Sequence, residues 1–149
     1  MSPFPTTSLE LTILGGWDPK LLGTRDPNPR TIVEDGIIQD LDIPISVRDV
    51  TVLRGNIYRP ENRRNERLPV ILNYSVYGKD GAVDICVFPP ASGLDASRIS
   101  KLYIFEAADP GWWCQQGYAV ASVDARGSHQ SEGDKGYYSR DVGLDGKRL

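Results

Sequence analysis

The chain has 149 residues, of which 40% are hydrophobic and 25% charged, and its net charge is −3. This is the balance of one globular domain or part of one; it is too apolar for a disordered chain and has no basic excess for nucleic acid or an anionic membrane. No run approaches the ~18–20 apolar residues of a membrane span, and the opening MSPFPTTSLELTILGGW lacks the cationic start and apolar core of a secretory signal.

Residues 1–38 are rich in proline (Pro3, Pro5, Pro19, Pro27, Pro29) and read as an extended, solvated lead-in with one short strand at Leu9–Leu14. From Ile43 the pattern sharpens. Ile43, Ile45 and Val47 alternate with Pro44, Ser46 and Arg48, as a half-buried strand does. Arg48-Asp49 makes a turn, and Val50 to Tyr58 form a second strand with Gly55 as a bulge. Pro60 ends it, and Glu61–Arg67 is a charged surface loop in which Arg63-Arg64 is solvated rather than a binding patch. Leu68–Tyr74, with Val70, Ile71 and Leu72 consecutive, is apolar on both faces and suits a central strand. A loop with Gly78 and Gly81 follows; residues 84–94 are irregular, and 97–105 form a short helix or an extended segment.

Asp109 as N-cap, Pro110 at the first helical position and Gly117 as a left-handed stop define a helix over 110–116. Tyr118–Val123, nearly all apolar, is the next strand. A strand, a long excursion with a helix, then a strand imply a parallel pair with a right-handed crossover. The fold class is therefore α/β, with roughly four strands. Placed last, Tyr118–Val123 becomes a sheet edge. An exposed apolar edge predicts low solubility or partial unfolding.

Open α/β sheets put their chemistry at the carboxyl ends of strands, which here means Asp124-Ala125-Arg126-Gly127. Asp124 and Arg126 have the chemistry to bind a substrate charge. The plainer reading is structural: Asp124 accepts loop N–H groups and Arg126 ties the loop down. His129-Gln130-Ser131-Glu132-Gly133 mimics the end of a G-x-S-x-G elbow, but His129 replaces the first glycine and no strand directly precedes Ser131. Ser131 is not read as a nucleophile, and Glu132 is read as a loop-anchoring carboxylate. Trp112-Trp113 and Tyr137-Tyr138 have the makings of an aromatic wall. Adjacent helical residues point in different directions, however, so one tryptophan is core and the other partly exposed. Cys86 and Cys114, far apart and outside any metal spacing, read as free thiols in a reducing, cytoplasmic compartment. With one histidine, the chain has too few ligands for a zinc site, and no cofactor is implied.

Three segments in order carry a resemblance. The first runs from Val47-Arg48-Asp49 through Leu53 to Ile57-Tyr58-Arg59-Pro60. The second is Leu68-Pro69-Val70-Ile71-Leu72 leading to Val76-Tyr77-Gly78-Lys79. The third runs from Gly117-Tyr118-Ala119-Val120 through Asp124-Ala125-Arg126-Gly127 to Ser131-Glu132-Gly133. Together they resemble the N-terminal part of the X-Pro dipeptidyl-peptidase and cocaine-esterase-like (CocE/NonD) branch of the α/β-hydrolases, over Ile43–Gly133. The chain departs from that pattern at Val50 (usually glycine), Asn56 (usually aspartate), Val76 (usually proline) and His129 (usually a small residue).

The resemblance implies a partial α/β-hydrolase fold: an antiparallel hairpin leading into parallel strands with a crossover helix, the sheet incomplete. Residues 1–38 are then a lead-in and 39–149 the first part of a catalytic domain that stops before the nucleophile elbow. The resemblance also implies a serine hydrolase acting on small esters or X-Pro peptides, with Tyr77 donating to the oxyanion. In the family the serine, acid and histidine follow the Ser-Glu-Gly loop, and no G-x-S-x-G occurs in this chain. The expectation is a fragment, inactive alone. The alternative is a stand-alone, non-catalytic small α/β protein or all-β binding module. Neither nucleic acid nor membrane is an expected partner, and oligomeric state is not legible.

Overall fold

The structure, a computed structural model, describes residues 26–80, 95–136, 138–147 and 149. The expected strand at Leu9–Leu14, the irregular segment at 84–94, Cys86 and Tyr137 lie outside the described residues.

Among the described residues five strands form one mixed sheet: β1 (Arg30–Glu34), β2 (Ile37–Ser46), β3 (Val52–Pro60), β4 (Val70–Ser75) and β5 (Ala119–Asp124), in the order β1-β2-β3-β5-β4. β1 and the start of β2 arise from the segment read as lead-in. They are joined by Asp35-Gly36, both at positive φ, the two-residue turn whose twist matches a hairpin. β2 and β3 pair antiparallel through a turn in which Val50 has φ of 64°; a β-branched residue there occupies a conformation that suits glycine. The expected bulge at Gly55 is absent. The irregularity lies instead on β2 between Asp40 and Ile43, where Asp42 has φ of 57°. Gly55 answers to packing: an added Cβ would lie 3.0 Å from Ile45 Cδ1 and 3.2 Å from Val123 Cγ2.

β5 is not an edge. It pairs antiparallel with β3 (Gly55 opposite Val123) and parallel with β4 (Ile71 opposite Val120). The chain lays β4 beyond a gap, then returns through α1 (Pro110–Gln115) to fill that gap with β5. Its apolar run fits: Ala119, Val120 and Val123 are all buried. Among the described strands β4, expected at the centre, lies at an edge opposite β1, and Val70 and Leu72 are 59% and 38% exposed.

Asp109 caps α1 by accepting the Gly111 N–H at 2.9 Å, and Gly117 (φ 86°) ends it. Against one face of the sheet α1 places Cys114 with Ile37, Tyr58 and Val120, and Trp113 packs on this cluster while Trp112 is exposed. On the other face Val47, Leu53 and Val123 cluster with Ile45 and Tyr74. Each fully buried aliphatic side chain here contributes about 1.5–3 kcal/mol. The segment at 97–105 holds a 3₁₀ turn at Ala96–Arg98 and no α-helix. A short helix not expected from the sequence, α2 (Arg140–Asp145), is capped by the Ser139 hydroxyl, which accepts from Val142 N–H.

Candidate active site

Because β4 and β5 are parallel, the loops that follow them, 75–80 and 125–133, emerge side by side. Main-chain and side-chain bonds sew them together. Ala125 N–H donates to the Ser75 carbonyl at 2.8 Å, and Lys79 N–H donates to Asp124 Oδ1 at 2.6 Å. The His129 ring Nε2 lies 3.0 Å from the Val76 carbonyl.

Tyr77 stands in the first loop, 53% exposed, with its ring edge-on to Phe105 at 5.0 Å between centroids. Its N–H donates to Ser75 Oγ at 3.0 Å. Gly78 follows with φ of 100°, a left-handed value that few side chains adopt, and the His129 ring lies 3.1 Å from where a Cβ would sit.

Two residues on from Tyr77, Lys79 enters a buried polar cluster in which motif residues meet others that the motifs do not announce. Lys79 is wholly buried, and its ammonium reaches Asp42 at 2.7 Å, Asp80 at 2.6 Å, Gln130 Oε1 at 2.8 Å and Asp124 at 4.0 Å. Asp42 and Asp124 are also wholly buried, and Arg30 approaches Asp42 from the surface at 3.5 Å. Asn56 ties the cluster to β3. Its Oδ1 accepts from Asp42 N–H at 3.0 Å while its Nδ2 donates to the Lys79 carbonyl at 3.1 Å and to Asp80 at 2.9 Å. An aspartate there could accept but not donate, so the departure at Asn56 supplies two bonds that an ionised aspartate would lack. Burial pushes the Asp124 carboxyl above its ordinary range, against the attraction of Lys79. For Asp80, burial is outweighed by the bonds from Lys79 and Asn56, and its pKa is lowered. One clue to this cluster is visible in the sequence: Asp42 is a lone acid inside the apolar run Leu41–Ile45.

Arg126 reaches the other way. It grips Asp145 of α2 with Nε and Nη2 at 2.8 and 2.9 Å, and also bonds Thr51 Oγ1 and Asp49 in the β2–β3 turn. The guanidinium holds the Asp49 carboxyl well below the usual range. Glu132 pairs with the start of β3: its Oε2 accepts the Val52 N–H at 3.0 Å, and its own N–H donates to the Val52 carbonyl. Ser131 is buried. Its hydroxyl donates to the Asp124 carbonyl at 2.6 Å and accepts from Arg54 N–H at 2.9 Å, so its proton is engaged by a main-chain oxygen. No histidine activates it. Cys114 is a free thiol, pushed up to about 11 by burial and the nearby Asp109 charge. Among the described residues no group of His, Cys, Asp and Glu has a metal-binding arrangement, and no helix is long and apolar enough to cross a membrane. An open groove of about 440 Å³, lined by residues including Asp35, Pro60, Arg63 and Gly117, lies at the amino end of β5, away from Tyr77.

A mixed sheet with a parallel β4–β5 pair, a crossover helix and chemistry-bearing loops at the strand ends defines an α/β fold of the hydrolase kind. The chain belongs to the X-Pro dipeptidyl-peptidase (S15) family, whose model matches residues 49–148. Two crystal structures of a CocE/NonD family hydrolase from Staphylococcus aureus are similar to it, both at 28% identity. Their TM-scores are 0.65 and 0.66, over 84% and 83% of this chain. The chain spans 23% of that hydrolase's length. An α-amino acid ester hydrolase matches at 18% identity and a TM-score of 0.45, over 89% of this chain and 18% of its own. No curated protein sequence is significantly similar to the chain.

Proposed function

We propose that this chain supplies the oxyanion-donor arm of a serine hydrolase. A serine from outside these 149 residues attacks the carbonyl carbon of a small ester or an X-Pro peptide and gives its proton to a general base; the acyl-enzyme forms as the ester C–O or peptide C–N bond breaks and the alcohol or amine leaves with that proton. Tyr77 donates its phenolic hydrogen to the developing oxyanion, the position at which a preorganised donor matters most. Asp124, Arg126 and Glu132 brace the two loops that carry it. The observation behind this reading is the placement of Tyr77: a half-exposed phenol at the carboxyl end of β4, on a backbone bonded to the loop after β5. Residues 39–149 act in this reading as the first part of the catalytic domain, in a reducing, cytoplasmic setting that suits the buried free thiol of Cys114.

The 149 residues contain no G-x-S-x-G, and the hydroxyl of Ser131 is spent on the backbone. The chain alone is therefore inactive in this reading. A fluorophosphonate leaves it unlabelled, and an adduct on Ser131 would overturn the assignment. A positive test exchanges the chain for the corresponding segment of the S. aureus hydrolase and follows p-nitrophenyl ester and X-Pro-nitroanilide turnover. Tyr77→Phe in this fusion lowers kcat by about 10²–10³-fold. A folded, active fusion indifferent to Tyr77→Phe refutes the oxyanion role.

A further inference from the structure

We infer that His129 is the positioning residue for Tyr77, a clamp that sets where the phenol stands. The inference rests on the reading of Tyr77 as an oxyanion donor, but the clamp itself has its own observations. Tyr77 lies between the two residues that His129 touches. On one side the ring Nε2 is 3.0 Å from the Val76 carbonyl, an oxygen that only accepts, so Nε2 carries the proton. On the other side the ring lies against Gly78, where a Cβ would sit 3.1 Å from both Cε1 and Nε2. The ring therefore packs tightly on the Gly78 backbone, whose φ of 100° already calls for glycine.

The backbone at His129 has φ of 50°, a left-handed value uncommon outside glycine that histidine, with asparagine and aspartate, adopts more often than most residues. A glycine would hold it freely. The imidazole instead reaches across the gap between the loops to Val76 and Gly78. The remaining freedom of Tyr77 is taken up by its own N–H on Ser75 Oγ and by the bond from Lys79 N–H to Asp124. The phenol swings only about the Tyr77 side-chain bonds, against Phe105. Sequence alone marks His129 as a departure from the family pattern; its contact with Val76 and Gly78 gives the departure a task.

His129 is the chain's single histidine, so its ring signals in an NMR spectrum are unambiguous. In the intact chain the Nε2 proton exchanges slowly with water and shows a nuclear Overhauser contact to the Gly78 α-protons. In His129→Gly the left-handed backbone is relieved and the urea midpoint holds or rises. The Tyr77 and Lys79 amides nonetheless exchange about tenfold faster, the size of one lost hydrogen bond. His129→Gln, which retains an N–H donor, recovers part of that protection. In the hydrolase fusion His129→Gly lowers kcat with KM within about twofold, as expected of a group that acts through Tyr77. Unchanged exchange at Tyr77 and Lys79 in His129→Gly, or a ring that exchanges freely and shows no contact to Gly78, overturns the clamp. If the exchange accelerates while Tyr77→Phe leaves kcat alone, the clamp stands and the oxyanion reading fails.

Discussion

Replacing Lys79 with methionine probes the buried cluster most directly. Methionine keeps much of the aliphatic stem, so the principal loss is the cation. The ammonium is within 2.8 Å of Asp42, Asp80 and Gln130, and the side chains of Lys79, Asp42 and Asp124 are wholly buried. Asp80 is half-exposed, so its share is discounted for screening. Removing one partner of a buried pair costs about 3–5 kcal/mol, because the charge left behind stays out of water. Domains have about 5–15 kcal/mol in total, so the loss is a large fraction of stability. With a urea slope of about 1–3 kcal/mol/M, the midpoint falls by about 1 M or more. The pH dependence follows from Asp124, whose folded pKa is raised by burial and held back by Lys79. A raised carboxyl binds its proton more tightly in the folded state, so stability falls as pH rises from the unfolded value near ~3.9 through the folded one. Without Lys79 the rise is larger and the window extends upward. The deficit of Lys79→Met is therefore greater at neutral pH than at mildly acidic pH. Urea melts at both check it. A midpoint within about 0.3 M of the parent at neutral pH, or an equal deficit at both, refutes the reasoning.

Arg126→Lys keeps the charge but loses the two-pronged grip on Asp145, and a loss of about 1.5–3 kcal/mol in chemical unfolding is expected. Gly55→Ala drives a methyl against Ile45 and Val123, and overpacking costs about 1–3 kcal/mol, read as a lower thermal midpoint. Leu72→Lys puts a charge on the exposed edge strand β4; size-exclusion and light scattering show less self-association, with stability changed by no more than about 0.5 kcal/mol. A parent chain already monomeric at high concentration contradicts that last expectation.

How legible all this is in the sequence depends on whether the deciding contact is local. The β2–β3 hairpin, the Asp109 cap and the Gly117 stop are local, and they read directly. The β1–β2 turn is local too: Asp35-Gly36 between Ile32-Val33 and Ile37-Ile38 is a clear hairpin signal, outweighed by the prolines before it. The exchange of β4 and β5 between centre and edge is not local. An apolar run records burial on two faces but not which neighbour arrives, and β4 reads as buried although its outer edge has no partner among the described strands. Gly55 likewise owes its size to Ile45 and Val123 rather than to its own backbone. At the site, Tyr77, Asp124, Arg126 and Glu132 come from motif positions. Lys79 and Asn56 stand at motif positions too, but their meeting with Asp42, like that of Arg126 with Asp145, comes only through the fold, across separations that no pattern spans.

The insertion of β5 between β3 and β4 has a consequence for the birth of the protein. β3 is complete once Pro60 is made, but the strand that seals its inner side ends at Asp124, about 60 residues later. At about 5–20 residues per second the hairpin waits ~3–12 s on the ribosome with an open flank. Pairings over such long loops also form slowly. In that interval β4 is the strand nearest to hand and the wrong one to pair. The seconds before β5 emerges are when this chain is most exposed to misregistered sheets.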